Sequence, residues 1–177
     1  MTVNIKELIR TIPDYPKPGI MFRDITTLLE HPEGFRETIN QLVEHCKNID
    51  FDVIVGLEAR GFIIGAAMAY AMNKGFIPIR KKGKLPGKVK RKEYNLEYGT
   101  DTIEIHTDAV KPGEKILVVD DLLATGGTCL GAISLLEELG AIVQEFVVVI
   151  DLPDLPGGKR LREKGVKFFK LIDFEGD

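Results

Sequence analysis

Residues 115–128, KILVVDDLLATGGT, decide the fold class of this chain. The run begins with continuous apolar residues, which is typical of a strand covered on both faces by helices. Two carboxylates, Asp120 and Asp121, follow directly, and a Thr-Gly-Gly-Thr turn then leads into a helix predicted over residues 128–139. The stretch therefore predicts a strand, turn and helix unit of an α/β protein.

The same alternation of strand and helix extends to both sides of this unit. A further helix is predicted at residues 61–72, and further strands are predicted at residues 51–57, 76–80, 102–106, 144–150 and 166–172. Short β-branched runs separated by helices are typical of right-handed crossovers in a parallel sheet. We therefore expect a single α/β domain over residues 1–177, with a central, mainly parallel sheet flanked by helices.

Two segments depart from this rhythm. Residues 11–27 carry three prolines and one glycine, so an irregular N-terminal hood is expected, assigned to residues 1–33 and held by packing on the main domain. Residues 80–100 are rich in Lys, Arg and Gly and predict a mobile basic lid loop. Part of that segment, residues 88–92, is typical of a solvated surface.

The composition excludes several classes of function. A chain of 177 residues buries one core, and a net charge of -3 disfavours a general binder of nucleic acid or of membrane surfaces. No stretch approaches the roughly 20 apolar residues of a membrane-spanning helix, and the N-terminus does not read as a signal peptide, so a cytoplasmic location is expected. Cys46 and Cys129 lie in no Cys/His cluster, which disfavours a thiolate metal site.

Residues 120–128, DDLLATGGT, have the composition of an anion-binding turn. The two glycines let backbone N–H groups approach a ligand, the two threonines add donors, and the helix N-terminus adds partial positive charge. The turn lacks the lysine of a P-loop and the spacing of a dinucleotide motif, which favours a phosphate monoester. A bare Thr-Gly-Gly-Thr would be an ordinary turn with a capped helix, but the two preceding acids favour ligand binding.

This hydrophobic strand with its two acids and Thr/Gly turn resembles the signature of the type I phosphoribosyltransferase family. The resemblance extends from the hood to the C-terminal strand and implies a glycosyltransferase, more narrowly a pentosyltransferase. It implies that Asp120 and Asp121 bind the ribose hydroxyls of phosphoribosyl pyrophosphate. It also implies that the 5-phosphate is bound by Ala124, Thr125, Gly126, Gly127 and Thr128.

Two further segments match pyrophosphate-binding stretches of the same family. Residues 55–62, VGLEARGF, resemble its pyrophosphate loop, which implies contacts from Glu58 and Ala59 and both binding and catalysis by Arg60. A lone Arg and Glu at a turn would otherwise be a surface pair. Residues 80–87, RKKGKLPG, resemble a stretch that helps to bind pyrophosphate, in some cases across a dimer interface, so a homodimer is expected. The residues implied there are Arg80, Lys81 and Lys84.

Residues 95–100, NLEYGT, resemble the end of the family's lid. The resemblance implies that Glu97 is a catalytic base, which accepts the proton of the imidazole-ring nitrogen as the glycosidic bond forms. Tyr98 would belong to the lid that excludes water from the reacting centre. An exposed acid beside a packed tyrosine is the alternative interpretation.

Residues 16–26, PKPGIMFRDIT, resemble the hood of the family's adenine-using members. The likeness implies that Phe22 stacks on the purine and that Arg23 frames it. It also implies that Ile20 and Met21 offer backbone groups to its edge. Alternatively, Phe22 anchors the hood to the core. Thr27 departs from the pattern, because many relatives have proline there.

Together these resemblances imply an enzyme of purine salvage that converts adenine and phosphoribosyl pyrophosphate to AMP and pyrophosphate. Mg²⁺ is the expected cofactor, held mainly by substrate oxygens and water because no dense carboxylate cage is evident. Two alternatives stay open, a phosphoribosyltransferase for a 6-oxopurine or a pyrimidine and a non-catalytic phosphoribosyl pyrophosphate-binding regulator. The turn DDLLATGGT differs from the hypoxanthine-type signature, and no basic helix-turn-helix region precedes residue 50, so both are disfavoured.

Overall fold

A seven-stranded sheet with helices on both faces forms the centre of the computed structural model, which describes residues 3–96 and 99–176. The strands are β1 (Arg10–Pro13), β2 (Met21–Asp24), β3 (Val53–Leu57), β4 (Gly75–Lys81), β5 (Val89–Leu96), β6 (Gly99–His106), β7 (Lys115–Leu123), β8 (Ile142–Asp151) and β9 (Phe168–Asp173). The α-helices are α1 (Thr26–Leu29), α2 (Pro32–Cys46), α3 (Arg60–Met72), α4 (Gly127–Glu138) and α5 (Gly157–Lys164). Within these ranges no helix is both long and apolar enough to cross a membrane.

The sheet confirms the predicted fold class. Its strand order is β5-β6-β4-β3-β7-β8-β9, with parallel pairing from β4 through to β9 and antiparallel pairing of β6 with β4 and β5 at one edge. The chain runs outward in opposite directions from the central pair β3 and β7. Ligands of open α/β sheets bind outside the carboxyl ends of such a pair.

The apolar run of β7 is buried on both faces of the sheet, as its continuity predicts. Val118 packs into the core shared with α4, and Leu117 packs into the core shared with α2 and α3; both are fully buried. Burying one such side chain contributes about 1.5 to 3 kcal/mol. Burial on both faces fixes the position of β7 between the two helix layers, and this fixes where its carboxyl end lies.

The hood contains regular secondary structure, although its prolines predict an irregular segment. β1 and β2 form an antiparallel hairpin, and α1 follows directly. The Arg10 side chain donates to the buried Asp24 carboxylate through Nε at 3.1 Å, and Thr27 donates its hydroxyl to the Leu8 carbonyl at 2.7 Å. The residue that departs from the family's proline therefore ties α1 to the N-terminal segment of the hood.

The segment predicted as a lid loop also differs from the expectation. Residues 89–96 form β5, which pairs antiparallel with β6 from Val89 opposite His106 to Leu96 opposite Gly99. Charged side chains dominate β5, so its sequence carries no apolar alternation, and the pairing with β6 supplies its order. Mobility of residues 80–100 stays a prediction.

The start of α5 approaches the end of β7 so closely that only glycine fits. The Gly157 N–H donates to the Ala124 carbonyl at 2.9 Å, and a Cβ atom on Gly157 would lie 2.4 Å from that same oxygen. Backbone atoms cannot rotate away as the end of a side chain can. The contact therefore sets the distance between α5 and the turn after β7.

We expect Gly157→Ala to lower the free energy of unfolding by about 1 to 3 kcal/mol, because the added methyl group forces the two backbones apart. Gly75→Ala is the matched control, since its Cβ atom would meet the nearest neighbouring atom, on Val53, at 3.7 Å. That control should stay within about 0.5 kcal/mol of the parent. Denaturant titration of the three proteins measures the difference, and equal stability of the two variants would contradict the packing argument.

Candidate active site

The candidate site lies at the carboxyl ends of β3 and β7. A cavity of about 220 Å³ opens between the turn that follows each strand. Its walls comprise Glu58, Ala59, Arg60, Lys81 and the continuous stretch from Asp120 to Cys129. The structure therefore brings together the residues predicted for the ribose and 5-phosphate with part of the set predicted for pyrophosphate.

The turn predicted to bind the 5-phosphate leads directly into α4. Gly126 has a φ of +87°, which favours glycine, and Gly127 is the first residue of the helix. The first N–H groups of a helix have no partner within the helix and attract anions. Thr125 and Thr128 add hydroxyl groups to the same wall of the cavity. The turn thus has the backbone and side-chain donors of an anion-binding site.

Helix α5 supports this turn from outside the cavity. The Ala124 carbonyl accepts from the Gly157 N–H at 2.9 Å, and the Thr125 carbonyl accepts from Arg160 Nη1 at 2.7 Å. These bonds give carbonyl oxygens of the turn partners on the α5 side. The sequence analysis did not identify Arg160, because no local pattern links it to a turn 35 residues earlier.

The two acids near the end of β7 lie beside one arginine. Arg60 Nε donates to Asp121 Oδ2 at 2.6 Å, and the Asp121 N–H donates to Asp120 Oδ1 at 2.8 Å. Burial and the neighbouring Asp121 carboxylate raise the pKa of Asp120 well above its usual range. The pair therefore offers acceptors for hydroxyl groups and a negative charge that a bound cation would stabilise.

The Glu58 carboxylate is committed to the protein itself. It accepts from Arg80 Nε at 3.1 Å and from the Lys81 N–H at 2.9 Å. Burial acts to raise the pKa of Glu58, but the hydrogen bonds and charge of Arg80 and its neighbours prevail and lower it. Glu58 lines the cavity as predicted, and its described bonds hold the end of β4 against the turn after β3.

The three basic residues predicted for pyrophosphate occupy different positions. Lys81 lines the cavity, and its ammonium group donates to Asp101 Oδ2 at 2.7 Å. Arg80 pairs with Glu58 and lies beside the main cavity, and Lys84 is exposed at the turn after β4. Of the three, Lys81 alone is part of the cavity wall among the described residues.

The hood brings Phe22 to the edge of the site. Its half-buried ring has its centroid 5.8 Å from the Arg60 guanidinium carbon and 5.2 Å from the ring of Tyr15, which meets it edge-on. The backbone of Ile20 is used within the hood turn, because its N–H donates to Lys17 and its carbonyl accepts from Tyr15. Phe22 thus reaches the site and Ile20 shapes the loop behind it.

Arg23 lies with the C-terminal tail. Its guanidinium donates to Thr11 Oγ1 at 2.7 Å and to the Gly176 carbonyl at 2.7 Å, and it stacks 4.6 Å from the Phe174 ring centroid. Successive side chains of a strand point to opposite faces, so Arg23 and Phe22 diverge from β2. The described contacts of Arg23 therefore support the hood rather than the cavity.

The predicted base Glu97 and the lid residue Tyr98 lie outside the described residues. Within the described part of the chain, no three His, Cys, Asp or Glu side chains come close enough together to hold a metal ion.

Comparison with known proteins identifies the family. The family model for the phosphoribosyl transferase domain matches residues 24–176. The chain is 59% identical over 175 residues to the adenine phosphoribosyltransferase of Chlorobium phaeobacteroides strain BS1, covering 98% of this chain and 99% of that protein. It is 57% identical to the adenine phosphoribosyltransferase of Prosthecochloris aestuarii, again over 98% of this chain and 99% of that protein.

Solved structures agree with these relatives. The adenine phosphoribosyltransferase of Thermoanaerobacter pseudethanolicus has a TM-score of 0.93 at 47% identity, over 96% of this chain and 98% of that chain. The enzyme of Saccharomyces cerevisiae, solved with an imino-altritol bisphosphate and adenine, has a TM-score of 0.88 at 37% identity, over 95% and 96% of the two chains. By its domain, sequence and fold, this chain belongs to the adenine phosphoribosyltransferase family of phosphoribosyl transferase domains.

Proposed function

We propose that this protein transfers the 5-phosphoribosyl group of phosphoribosyl pyrophosphate to adenine, giving AMP and pyrophosphate. The observation that carries the proposal is the single cavity in which the α4 phosphate turn, the Asp120 and Asp121 carboxylates, Arg60 and Lys81 converge. A ligand with a terminal phosphate, vicinal hydroxyls and a second, larger anionic group matches that order of anion site, acceptor pair and cations.

In this assignment Asp120 and Asp121 accept hydrogen bonds from the ribose hydroxyls, and the turn from Ala124 to Thr128 binds the 5-phosphate. Arg60 and Lys81 face the pyrophosphate, whose negative charge grows as its bond to the anomeric carbon breaks. Preorganised cations at a developing charge lower the barrier more than they improve ground-state binding. Arg60 is thus the proposed catalytic cation, held in place by its ion pair with Asp121.

The bond that forms joins N9 of adenine to the anomeric carbon, and the bond that breaks takes its electron pair to pyrophosphate. Glu97 is proposed to accept the N9 proton, and Tyr98 with the rest of residues 80–100 to exclude water from the centre. Arg80 and Lys84 are proposed as outer pyrophosphate contacts. Glu58 and Ala59 complete the wall on that side.

Adenine is proposed to stack on Phe22, with hood backbone groups around Met21 reading its edge. Pro13 is the register partner of Met21 and has no N–H, so the Met21 carbonyl receives no hydrogen bond from that partner. A backbone carbonyl at the purine edge would accept from the exocyclic amine of adenine and would oppose the carbonyl of a 6-oxopurine. The described contacts of Arg23 make it a support of this arrangement.

Mg²⁺ is proposed as the cofactor and fits the residues present. Asp120, whose pKa is raised by burial and by Asp121, is a carboxylate that a nearby cation would stabilise in its charged form. Mg²⁺ commonly binds through one or two carboxylates together with substrate phosphates and water. When bound it would neutralise charge on the pyrophosphate.

A cytoplasmic location is also proposed, in keeping with two free, buried cysteines, Cys46 and Cys129.

A homodimer is proposed through the outer face of α3. Ile63 is 44% exposed and Tyr70 is 90% exposed, and the exposed Ala66 lies between them on the same face of the helix. No charged residue follows Arg60 within α3. Apolar side chains on a charge-free surface helix are typical of a face that another copy covers. Residues 1–177 would then form a single domain, and two copies of it would form the homodimer.

The function is tested with the purified protein, Mg²⁺, phosphoribosyl pyrophosphate and radiolabelled adenine, hypoxanthine or guanine. We expect AMP formation, with a preference for adenine of at least about tenfold in kcat/KM, because a buried acceptor facing an acceptor costs about 1 to 3 kcal/mol. Equal use of hypoxanthine or guanine would contradict adenine specificity, and binding of phosphoribosyl pyrophosphate without turnover of any base would indicate a regulator.

Asp120→Asn should separate stability from function. Because the folded-state pKa of Asp120 is raised, its ionised form destabilises the fold at neutral pH, and this penalty disappears as the pH falls below the unfolded value of about 3.9. The variant should therefore melt at a higher temperature at pH 7 to 8, with a gain that shrinks towards pH 4. Its kcat/KM should fall at least about tenfold, through loss of a charged acceptor.

Asp121→Asn serves as the control for that experiment. It breaks the ion pair with Arg60 and leaves the guanidinium beside a neutral side chain. Its melting temperature should fall at neutral pH, opposite to Asp120→Asn. A melting temperature that falls equally in both variants would refute the assigned charge balance.

The dimer proposal predicts that Tyr70→Glu yields a monomer in analytical ultracentrifugation, because two added charges would meet across the interface. Tyr15→Glu is the control, since Tyr15 is also a largely exposed tyrosine, 54% accessible, but lies on the hood. It should sediment as the parent does. A dimer that persists in Tyr70→Glu at micromolar concentration would exclude this face of α3.

A further inference from the structure

The antiparallel hairpin of β5 and β6 touches both sides of the cavity through one residue, Tyr94. The ring is buried, with Tyr94 only 7% exposed, and packs against the first turns of α4. A Cβ atom on either Gly127 or Gly131 would lie 3.4 Å from carbon atoms of the Tyr94 side chain. The neighbouring Asn95 carbonyl would be 3.1 Å from the same Cβ on Gly127. The hairpin is therefore seated directly on the helix start that forms the proposed 5-phosphate site.

The other end of Tyr94 reaches the opposite wall. Its hydroxyl lies 3.1 Å from the Lys81 ammonium nitrogen and 3.3 Å from Asp101 Oδ2. Lys81 also donates to Asp101 Oδ2 at 2.7 Å, while the Thr102 N–H donates to Asp101 Oδ1 at 2.8 Å and fixes the carboxylate. One aromatic side chain thus spans from the phosphate turn to a lysine of the proposed pyrophosphate site.

The backbone next to Lys81 is held separately from this network. The Lys82 N–H donates to the Thr102 carbonyl at 3.1 Å, and the Gly83 N–H donates to Glu104 Oε1 at 2.8 Å. Glu104 is 1% exposed and also pairs with Arg91. With the backbone fixed, the direction of the long, flexible Lys81 side chain is decided by its own partners, Asp101 and Tyr94.

We propose that Tyr94 and Asp101 are positioning residues that aim the Lys81 ammonium group at the pyrophosphate, and that the Tyr94 ring sets its distance from the 5-phosphate turn. The inference rests on the proposed function, because it assigns pyrophosphate to Lys81. Neither residue needs to touch substrate. Each acts through the lysine, and the ring acts through Gly127.

The charge on Lys81 agrees with this role. Burial acts to lower the pKa of the Lys81 ammonium group, but hydrogen bonds to Asp101 and Tyr94 prevail and raise it. The hydrogen bond from Lys81 in turn lowers the pKa of Asp101. The lysine is therefore cationic when an anion arrives, and it is already oriented, so little side-chain freedom is lost on binding.

A purely structural role predicts something different. If Tyr94, Asp101 and Lys81 only fastened the β5–β6 hairpin to the domain, substituting them would disturb the whole cavity and weaken the binding of every anion there. If Tyr94 and Asp101 aim Lys81, conservative substitutions of these two residues should weaken the binding of pyrophosphate alone, and only while Lys81 is present. A double-mutant cycle separates these cases.

The experiment compares Asp101→Asn and Tyr94→Phe in the parent enzyme and in a Lys81→Met background. Product inhibition by pyrophosphate is measured at fixed Mg²⁺, together with the dissociation constant of ribose 5-phosphate and the KM of adenine. We expect each single variant to weaken pyrophosphate inhibition about tenfold, the effect of losing one charge-assisted bond. Binding of ribose 5-phosphate and adenine should change less than about twofold, and neither substitution should have a further effect once Lys81 is Met.

Glu138→Gln is the matched control. It removes the 2.9 Å ion pair between Lys92 and Glu138, which also joins the hairpin to α4 but lies away from Lys81. It should leave all three constants as in the parent. Tyr94→Ala, which removes the ring as well as the hydroxyl, should weaken ribose 5-phosphate too, because Gly127 loses its packing partner.

Three results would overturn the inference. The first is an equal loss of pyrophosphate and ribose 5-phosphate binding in Asp101→Asn and Tyr94→Phe, and the second is a full effect of either substitution in the Lys81→Met background. The third is unchanged pyrophosphate inhibition in an active enzyme. Absence of AMP formation by the parent protein would instead refute the proposed function on which the inference rests.

Discussion

The site depends above all on the parallel pairing of β3 with β7. The register from Val53 opposite Ile116 to Gly56 opposite Val119 places the end of β3 next to the part of β7 that carries Asp120 and Asp121, with the two strands about 4.8 Å apart. The turns that follow must then share one edge of the sheet, which is why Arg60 reaches Asp121. A Cβ atom on Gly61 would lie 2.9 Å from the Val119 carbonyl, so α3 can begin this close to β7 only with glycine there. The hood and the β5–β6 hairpin pack around this centre.

The charges gathered at that edge work against the stability of the free protein. Asp120 and Asp121 are adjacent in a largely buried position, and Arg60 balances only part of their charge. A neutral side chain in place of Asp120 would favour folding, yet it would offer a weaker acceptor to hydroxyl groups and less attraction to a cation. A carboxyl group with a strongly raised pKa, such as that of Asp120, is typical of a functional site. The supporting bonds from Arg80 to Glu58 and from Arg160 to Thr125 hold the surrounding turns in place.

Sequence predicts those parts of the structure that have a local pattern. The continuous apolar run of β7 indicates burial on both faces of the sheet, and the glycines before α4 indicate a turn. These elements and the fold class were therefore predicted correctly. β5 has no such pattern, since its order comes from pairing with β6. The contact between Tyr94 and Gly127, and that between Arg160 and Thr125, join residues over 30 positions apart. No periodicity records a contact of that kind, so it needed the structure.

Base selection, under the proposed adenine specificity, falls to main-chain groups of the hood and not to its side chains. Arg23 is bound to the C-terminal tail and Phe22 offers a face that suits every purine, so discrimination is left to the hood backbone around Met21. The direction of a backbone carbonyl is fixed by the hairpin that contains it. That hairpin is in turn held by the bonds of Asp24 to Arg10 and of Thr27 to Leu8. A site that selects through the main chain thus needs buried polar anchors behind it, because the reading group has no side chain of its own to adjust.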